Sequence, residues 1–140
     1  MKQKAYIVID VGTGNLRVAV ASTKGEILGL QRSDIDYRRD NDYPDALSFD
    51  PNQLWEAIIT LARKALDQAG SVDVVALTAT SQREGIVLIG KRGESLLGLP
   101  NIDHRGAEWE SEIGAKDLIY SMSGRYPTSL FSAFKLKGIE

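Results

Sequence analysis

The segment Ile9-Asp10-Val11-Gly12-Thr13-Gly14-Asn15-Leu16-Arg17 carries residue types suited to holding a phosphate. Gly12 and Gly14 allow a sharp turn and a close approach of backbone to ligand. Successive N–H groups in such a turn can cradle phosphate oxygens. Thr13 and Asn15 add side-chain hydrogen bonds. Asp10 ends an apolar run, where a carboxylate can hold Mg²⁺ through water. The pattern Gly-x-Gly-x-x-Gly is absent, because Arg17 stands in the last glycine position. Dinucleotide turns and P-loops also open into a helix. Here Leu16, Val18 and Val20 alternate with Arg17, Ala19 and Ala21, as in a strand. Two readings stand side by side: a phosphate cradle between antiparallel strands, or an ordinary glycine hairpin whose aspartate only caps the turn.

Two other polar groups have chemical potential. Arg83-Glu84 follows the strand expected at Val74 to Ala79, at the carboxyl end where α/β sheets place ligands. A loop ion pair of little energetic weight is the plainer alternative. Asp103 precedes a helical pattern and could equally meet a substrate hydroxyl or cap that helix. His104 reads as a loop residue with no orienting partner nearby in sequence.

Composition narrows the chemistry. The 140 residues hold no cysteine and one histidine, which excludes disulfides, thiolate chemistry and histidine-cluster metal sites. Any metal must be hard and oxygen-bound. The net charge of -2 offers no basic footprint for nucleic acid. No apolar stretch approaches the roughly 18 residues of a membrane span. The run from Ala5 to Ile9 is too short for a secretory signal, so a cytoplasmic protein is expected.

The elements that must position these residues read as an α/β fold. Ala5 to Val11, the alternating segment from Leu16, and Ile27 to Leu30 form three strands joined by short turns, an antiparallel meander. Residues 33–49, with Asp34, Asp36, Arg38, Arg39, Asp40 and Asp42, read as a solvated loop. A helix starts after Asp50, with Pro51 at its first position and Gln53 completing a capping pattern, and Gly70 ends it. Its apolar face is Leu54, Trp55, Ile58, Ile59, Ala62, Ala65, Leu66 and Ala69. Val74 to Leu77 follows as a buried strand. Ile86 to Ile89 and Ser95 to Leu99 form a hairpin around Gly90 to Glu94. Arg105 to about Ser121 is expected to be helical, with Ala107, Trp109, Ile113 and Leu118 inward. Gly124 and Pro127 interrupt before a last helical pattern at Phe131, Phe134 and Leu136.

Taken together, these motifs resemble the FGGY family of carbohydrate kinases within the actin-like ATPase superfamily. Asp10-Val11-Gly12-Thr13-Gly14 resembles the superfamily's phosphate loop, and the following strand with Arg17 is similar to that of FGGY kinases. Thr80-Ser81-Gln82-Arg83-Glu84-Gly85-Ile86 resembles segments of glycerol kinases and autoinducer-2 kinases. Asn101-Ile102-Asp103-His104-Arg105 is similar to the Asn-x-Asp-x-Arg of autoinducer-2 kinases and a related motif of xylulose kinases. The resemblance implies a ribonuclease-H-like domain: a three-strand meander, a parallel strand beside it, and helices packed on the sheet. It covers residues 1–140 as the opening part of the sugar-binding domain. The partial domain lacks the family's later catalytic base and its C-terminal nucleotide-binding domain.

The implied roles follow residue by residue. Asp10, Gly12, Thr13, Gly14 and Asn15 would face Mg²⁺ and the phosphates of ATP, with Asp10 nearest the metal. Arg17 would point toward the transferred phosphoryl group. Arg83, Glu84 and Asp103 would hold a sugar or polyol. Leu130 stands where glycerol kinases carry an aromatic contact, which argues against glycerol itself. The helical pattern running into the C-terminus matches a truncated chain, expected to be inactive alone and to self-associate or dimerise through an open sheet edge. A non-catalytic sugar sensor, or another actin-like ATPase, is the alternative.

Overall fold

In the computed structural model, which describes residues 1–41, 43 and 45–139, the chain forms two compact units. Unit one joins residues 1–36 to 51–82, and unit two joins 37–50 to 83–140. Asp42, expected in the polar loop, lies outside the described residues.

Unit one is built on β1 (Gln3–Val11), which pairs antiparallel with β2 (Asn15–Ser22). β2 in turn pairs antiparallel with β3 (Ile27–Asp34). The expected meander is present, and β3 runs four residues past its expected end at Leu30. In unit two, β4 (Arg38–Arg39) pairs with β5 (Leu47–Ser48). The helix α1 (Pro51–Ala69) and β6 (Val72–Ser81) return to unit one. β6 lies parallel to β1, giving the sheet order β3-β2-β1-β6.

The core of unit one follows from period-two strands meeting a period-3.6 helix. Leu16, Val18 and Val20 of β2 are wholly buried, with Ala5 and Ile9 of β1 beside them. α1 covers them with Leu61 and Ala65, supported by Leu54, Ala57, Ile58, Ala62 and Leu66. Trp55, expected on this face, is 58% exposed. It sits about 100° around the helix from Leu54, off the buried stripe. Gly70 ends the helix in the left-handed conformation, its N–H donating to the Leu66 carbonyl. β6 is not the buried strand expected. Val74, Val75 and Leu77 are exposed, because β6 is the sheet's outer strand and α1 packs on β2 and β3.

Unit two holds short elements. β7 (Ile86–Ile89) and β8 (Ser95–Leu99) make the expected hairpin. The solvated loop is only partly so: β4 and β5 pair within it, Ala46 and Phe49 are buried, and Phe49 bridges to Gly98. Two-residue strands are too short to leave a periodic signature. The expected helix from Arg105 is two pieces, a 3-10 turn at Ala107–Ser111 and α2 (Lys116–Ser123). Gly114 lies between them, where glycine disfavours helix by about 1 kcal/mol. Ala107 and Leu118 consequently face solvent. Gly124 closes α2 with φ 71°, and α3 (Ser132–Lys137) follows. No helix among the described residues is long and apolar enough to cross a membrane.

β3 and α1 approach each other closely at Gly29. A Cβ added to Gly29 would run into the backbone carbonyl of Ala65. Backbone cannot yield as a side chain does, so Gly29→Ala is expected to cost about 1–3 kcal/mol in urea unfolding.

Candidate functional site

In unit one, strand pairing shapes the turn after β1. Val11 faces Leu16 and Asp10 faces Arg17 across the ladder. The Gly12 N–H donates to the Asn15 carbonyl at 2.9 Å and closes the turn. Arg17 then bridges it: Nη1 donates to Asp10 Oδ2 at 3.0 Å, and Nη2 donates to Asn15 Oδ1 at 2.7 Å. The Arg17 and Asp10 side chains remain 46% and 37% exposed, so both can reach a ligand. Asp10 Oδ1 accepts no hydrogen bond from any described residue.

The glycines act differently from the sequence expectation. Neither Gly12 nor Gly14 has a positive φ, so backbone conformation does not demand glycine at either position. A Cβ on Gly14 would point into open space, and one on Gly12 would sit 3.2 Å from the Asn15 carbonyl oxygen. Both leave the backbone of the turn bare of side chain. β6 ends beside this turn. Thr80 pairs with Asp10 and Ser81 with Val11, and the Gln82 N–H donates to the Val11 carbonyl at 2.7 Å.

This donor set suits a Mg-nucleotide. It offers one carboxylate, the Thr13 hydroxyl, the Asn15 amide and a guanidinium around an unobstructed turn. No cluster of three metal-ligating side chains exists among the described residues. Asp10 would hold a cation largely through water and ligand oxygens, the mode Mg²⁺ favours.

In unit two, Arg83 is exposed and in no ion pair with a described residue. Glu84 has φ 62°, the only positive value for a non-glycine among the described residues. Its Oε1 lies 3.7 Å from Arg125 Nη1, a pair the sequence did not foreshadow. Asp103 is neither at a free surface nor a helix cap. It is wholly buried, and its carboxylate accepts from Arg105 Nε at 2.9 and 3.0 Å and from the Leu47 N–H at 2.8 Å. Arg105 also donates to the Leu47 carbonyl. Asp103 therefore braces β5 in this conformation, and a sugar hydroxyl has no access to its carboxylate. His104 Nδ1 lies 2.9 Å from Ser129 Oγ, and the Ser129 N–H donates to Glu110 Oε1. The Ser129 side chain and then its N–H hold the Glu110 carboxyl below its ordinary range. That support is complete above the ordinary carboxylate pKa and is lost as pH falls through the lowered one.

Lys135 was also invisible to sequence reasoning. It is wholly buried and donates to four backbone carbonyls. The only signal was a lysine beside Phe134 at the start of an apolar helical pattern.

Comparison with known proteins adds a family match: residues 5–140 match the N-terminal domain of the FGGY family of carbohydrate kinases. The chain is 52% identical over 139 residues to "Putative sugar kinase YoaC" of Bacillus subtilis (strain 168), covering 99% of this chain and 28% of that protein. It is 30% identical over 115 residues to autoinducer-2 kinase of Escherichia coli (strain K12), covering 80% of this chain and 22% of that one. The fold is similar to xylulose kinase from Lactobacillus acidophilus, with TM-score 0.86, 18% identity, and coverage of 97% of this chain and 28% of that one. The chain thus spans about 28% of the length of these proteins at most.

The two aspartates should respond very unequally to neutralisation. Asp10→Asn breaks an exposed pair and should change unfolding free energy by less than about 1 kcal/mol. Asp103→Asn leaves Arg105, 9% exposed, without its carboxylate, and should cost about 3–5 kcal/mol. Parallel denaturant titrations of the two variants check this.

Proposed function

This chain belongs to the FGGY family of carbohydrate kinases, and from that premise we propose that it contributes the phosphate loop and part of the acceptor site of an ATP-dependent sugar or polyol kinase. What supports the reading is the bare turn of Gly12 to Gly14, flanked by Asp10, Asn15 and Arg17 in mutual hydrogen-bonding contact. Bound Mg-ATP supplies the phosphoryl group and a divalent charge. Asp10 would orient that charge through water, while Thr13, Asn15 and the turn backbone hold phosphate oxygens. Arg17 is already drawn to the turn by Asp10, and its planar fork suits a phosphoryl oxygen. Phosphoryl transfer needs such positioning and charge compensation more than covalent chemistry.

Arg83 and Glu84 would take the acceptor. Glu84 accepts hydrogen bonds from hydroxyls and Arg83 donates to their oxygens, a pairing that selects a polyhydroxylated molecule over an apolar one. Asp103 contributes by bracing the loop rather than by touching the acceptor. Consumption of ATP fits a cytoplasmic setting. The 140 residues alone would be inactive, since the base and the adenosine site lie in parts of the family that this chain does not match.

Kinetics of the complete reading frame test the assignment. Arg17→Met is expected to lower kcat by about 10²–10³-fold, with acceptor binding kept. Glu84→Ala is expected to raise the acceptor KM by about 10- to 100-fold. A wild-type protein that phosphorylates nothing in a panel of sugars, sugar acids and polyols would refute the reading. The outer edge of β6 pairs with no described strand and bears exposed Val74 and Leu77. The isolated 140 residues should self-associate at tens of micromolar, roughly where open strand edges aggregate, and sedimentation showing only monomer would contradict this.

A further inference from the structure

Arg125 and Glu84 meet in unit two without satisfying each other. Their nearest atoms, Arg125 Nη1 and Glu84 Oε1, are 3.7 Å apart, beyond hydrogen-bond length. Neither side chain makes a hydrogen bond with a described residue. Asp103 and Arg105 behave otherwise, since that carboxylate is committed to two short arginine contacts and a backbone N–H. The Glu84 side chain is only 23% exposed. A carboxylate so enclosed normally gathers hydrogen bonds. Glu84 also holds φ 62°, and strain of that kind collects where ligands bind.

The backbone beneath Arg125 is tied back to α2 on both sides. Gly124 ends α2 at φ 71°, its N–H donating to the Tyr120 carbonyl at 2.7 Å. The Arg125 N–H donates to Ser123 Oγ, which itself donates to the Ile119 carbonyl at 2.7 Å. The next residue, Tyr126, stacks its ring on Tyr120, with centroids 4.4 Å apart and planes within 14° of parallel. The guanidinium therefore starts from a braced position beside Glu84, with its donors uncommitted.

The chemistry of the cluster selects a ligand. Ionised Glu84 accepts hydrogen bonds and cannot donate, so it takes hydroxyls. Arg125 only donates, through a planar fork that fits the two oxygens of a carboxylate. Arg83, exposed and in no ion pair with a described residue, adds a second guanidinium next to Glu84 in the chain. Two guanidiniums against one carboxylate leave these three residues with an excess positive charge. An acceptor with hydroxyls for Glu84 and a negative group for arginine answers both demands.

We propose that Arg125 is a specificity-determining residue of the acceptor site: beside Glu84 it takes the carboxylate of a polyhydroxylated acid, so that the acceptor is a sugar acid rather than a neutral sugar or polyol. This rests on the acceptor role proposed for Glu84 and narrows it.

The test uses the complete reading frame and matched acceptors, an aldonic acid and the alditol of the same carbon skeleton. Calorimetry reads binding, and ATP consumption reads turnover. The acid is expected to bind about 10- to 100-fold more tightly than its alditol, as charge-assisted hydrogen bonds to a carboxylate allow. That advantage should shrink severalfold between about 0.05 and about 0.5 M salt. Arg125→Met should abolish it, leaving alditol affinity and the ATP KM within about twofold. Arg125→Lys, which keeps the charge and loses the fork, should retain part of it. Equal wild-type affinity for acid and alditol overturns the proposal, and that comparison needs no variant. An acid preference that survives in folded Arg125→Met overturns it as well. Acid binding that depends on Arg125, without turnover of any acceptor in the panel, supports this site and refutes the kinase reading. Phosphorylation of neutral acceptors alone does the reverse.

Discussion

The register of β1 against its two neighbours is the constraint on which the rest depends. Antiparallel to β2 and parallel to β6, it sets Asp10 opposite Arg17 on one side and opposite Thr80 on the other. Side chains alternate along a strand, so a slip of one residue would turn Asp10 to the opposite face and push Ile9 out of the core. Core and chemistry are thereby coupled. Burying Ala5, Ile9, Leu16, Val18 and Val20 under α1 is what presents the acid and the guanidinium at the turn. The same register brings the end of β6, with Ser81 and Gln82, to the turn.

Two aspartates show how environment divides labour between identical side chains. Asp10 shares an exposed contact with Arg17, so its pairing contributes little to stability. Asp103 spends its carboxylate on a nearly buried arginine and a backbone N–H. Losing either partner there would strand a charge away from water. One is suited to function and the other to architecture, although both stood in recognisable motifs.

Much of unit one was legible because its signals are local. The alternation of β2, the proline and glycine punctuation around α1, and the short turns between strands each act within a few residues. What was illegible depends on distant partners. β4 and β5 exist because residues 38–39 find 47–48, and Phe49 finds Gly98. The helix expected from Arg105 breaks near Gly114, although its apolar spacing continues through the break. Asp103 read as either a hydroxyl ligand or a helix cap because Leu47 and Arg105 close over it only in three dimensions. Lys135 gave no warning because sequence rules place lysine outside, and only four converging carbonyls make an exception.

Glu84 holds a backbone conformation that L-residues with side chains avoid, at a penalty of roughly 1–2 kcal/mol. Glycine or asparagine would sit there more comfortably. Selection for heat resistance alone would drift toward those residues and discard the carboxylate with the strain. With the acceptor role proposed for Glu84, durability and recognition pull in opposite directions at this codon, and a hardened variant would have to gain its robustness elsewhere.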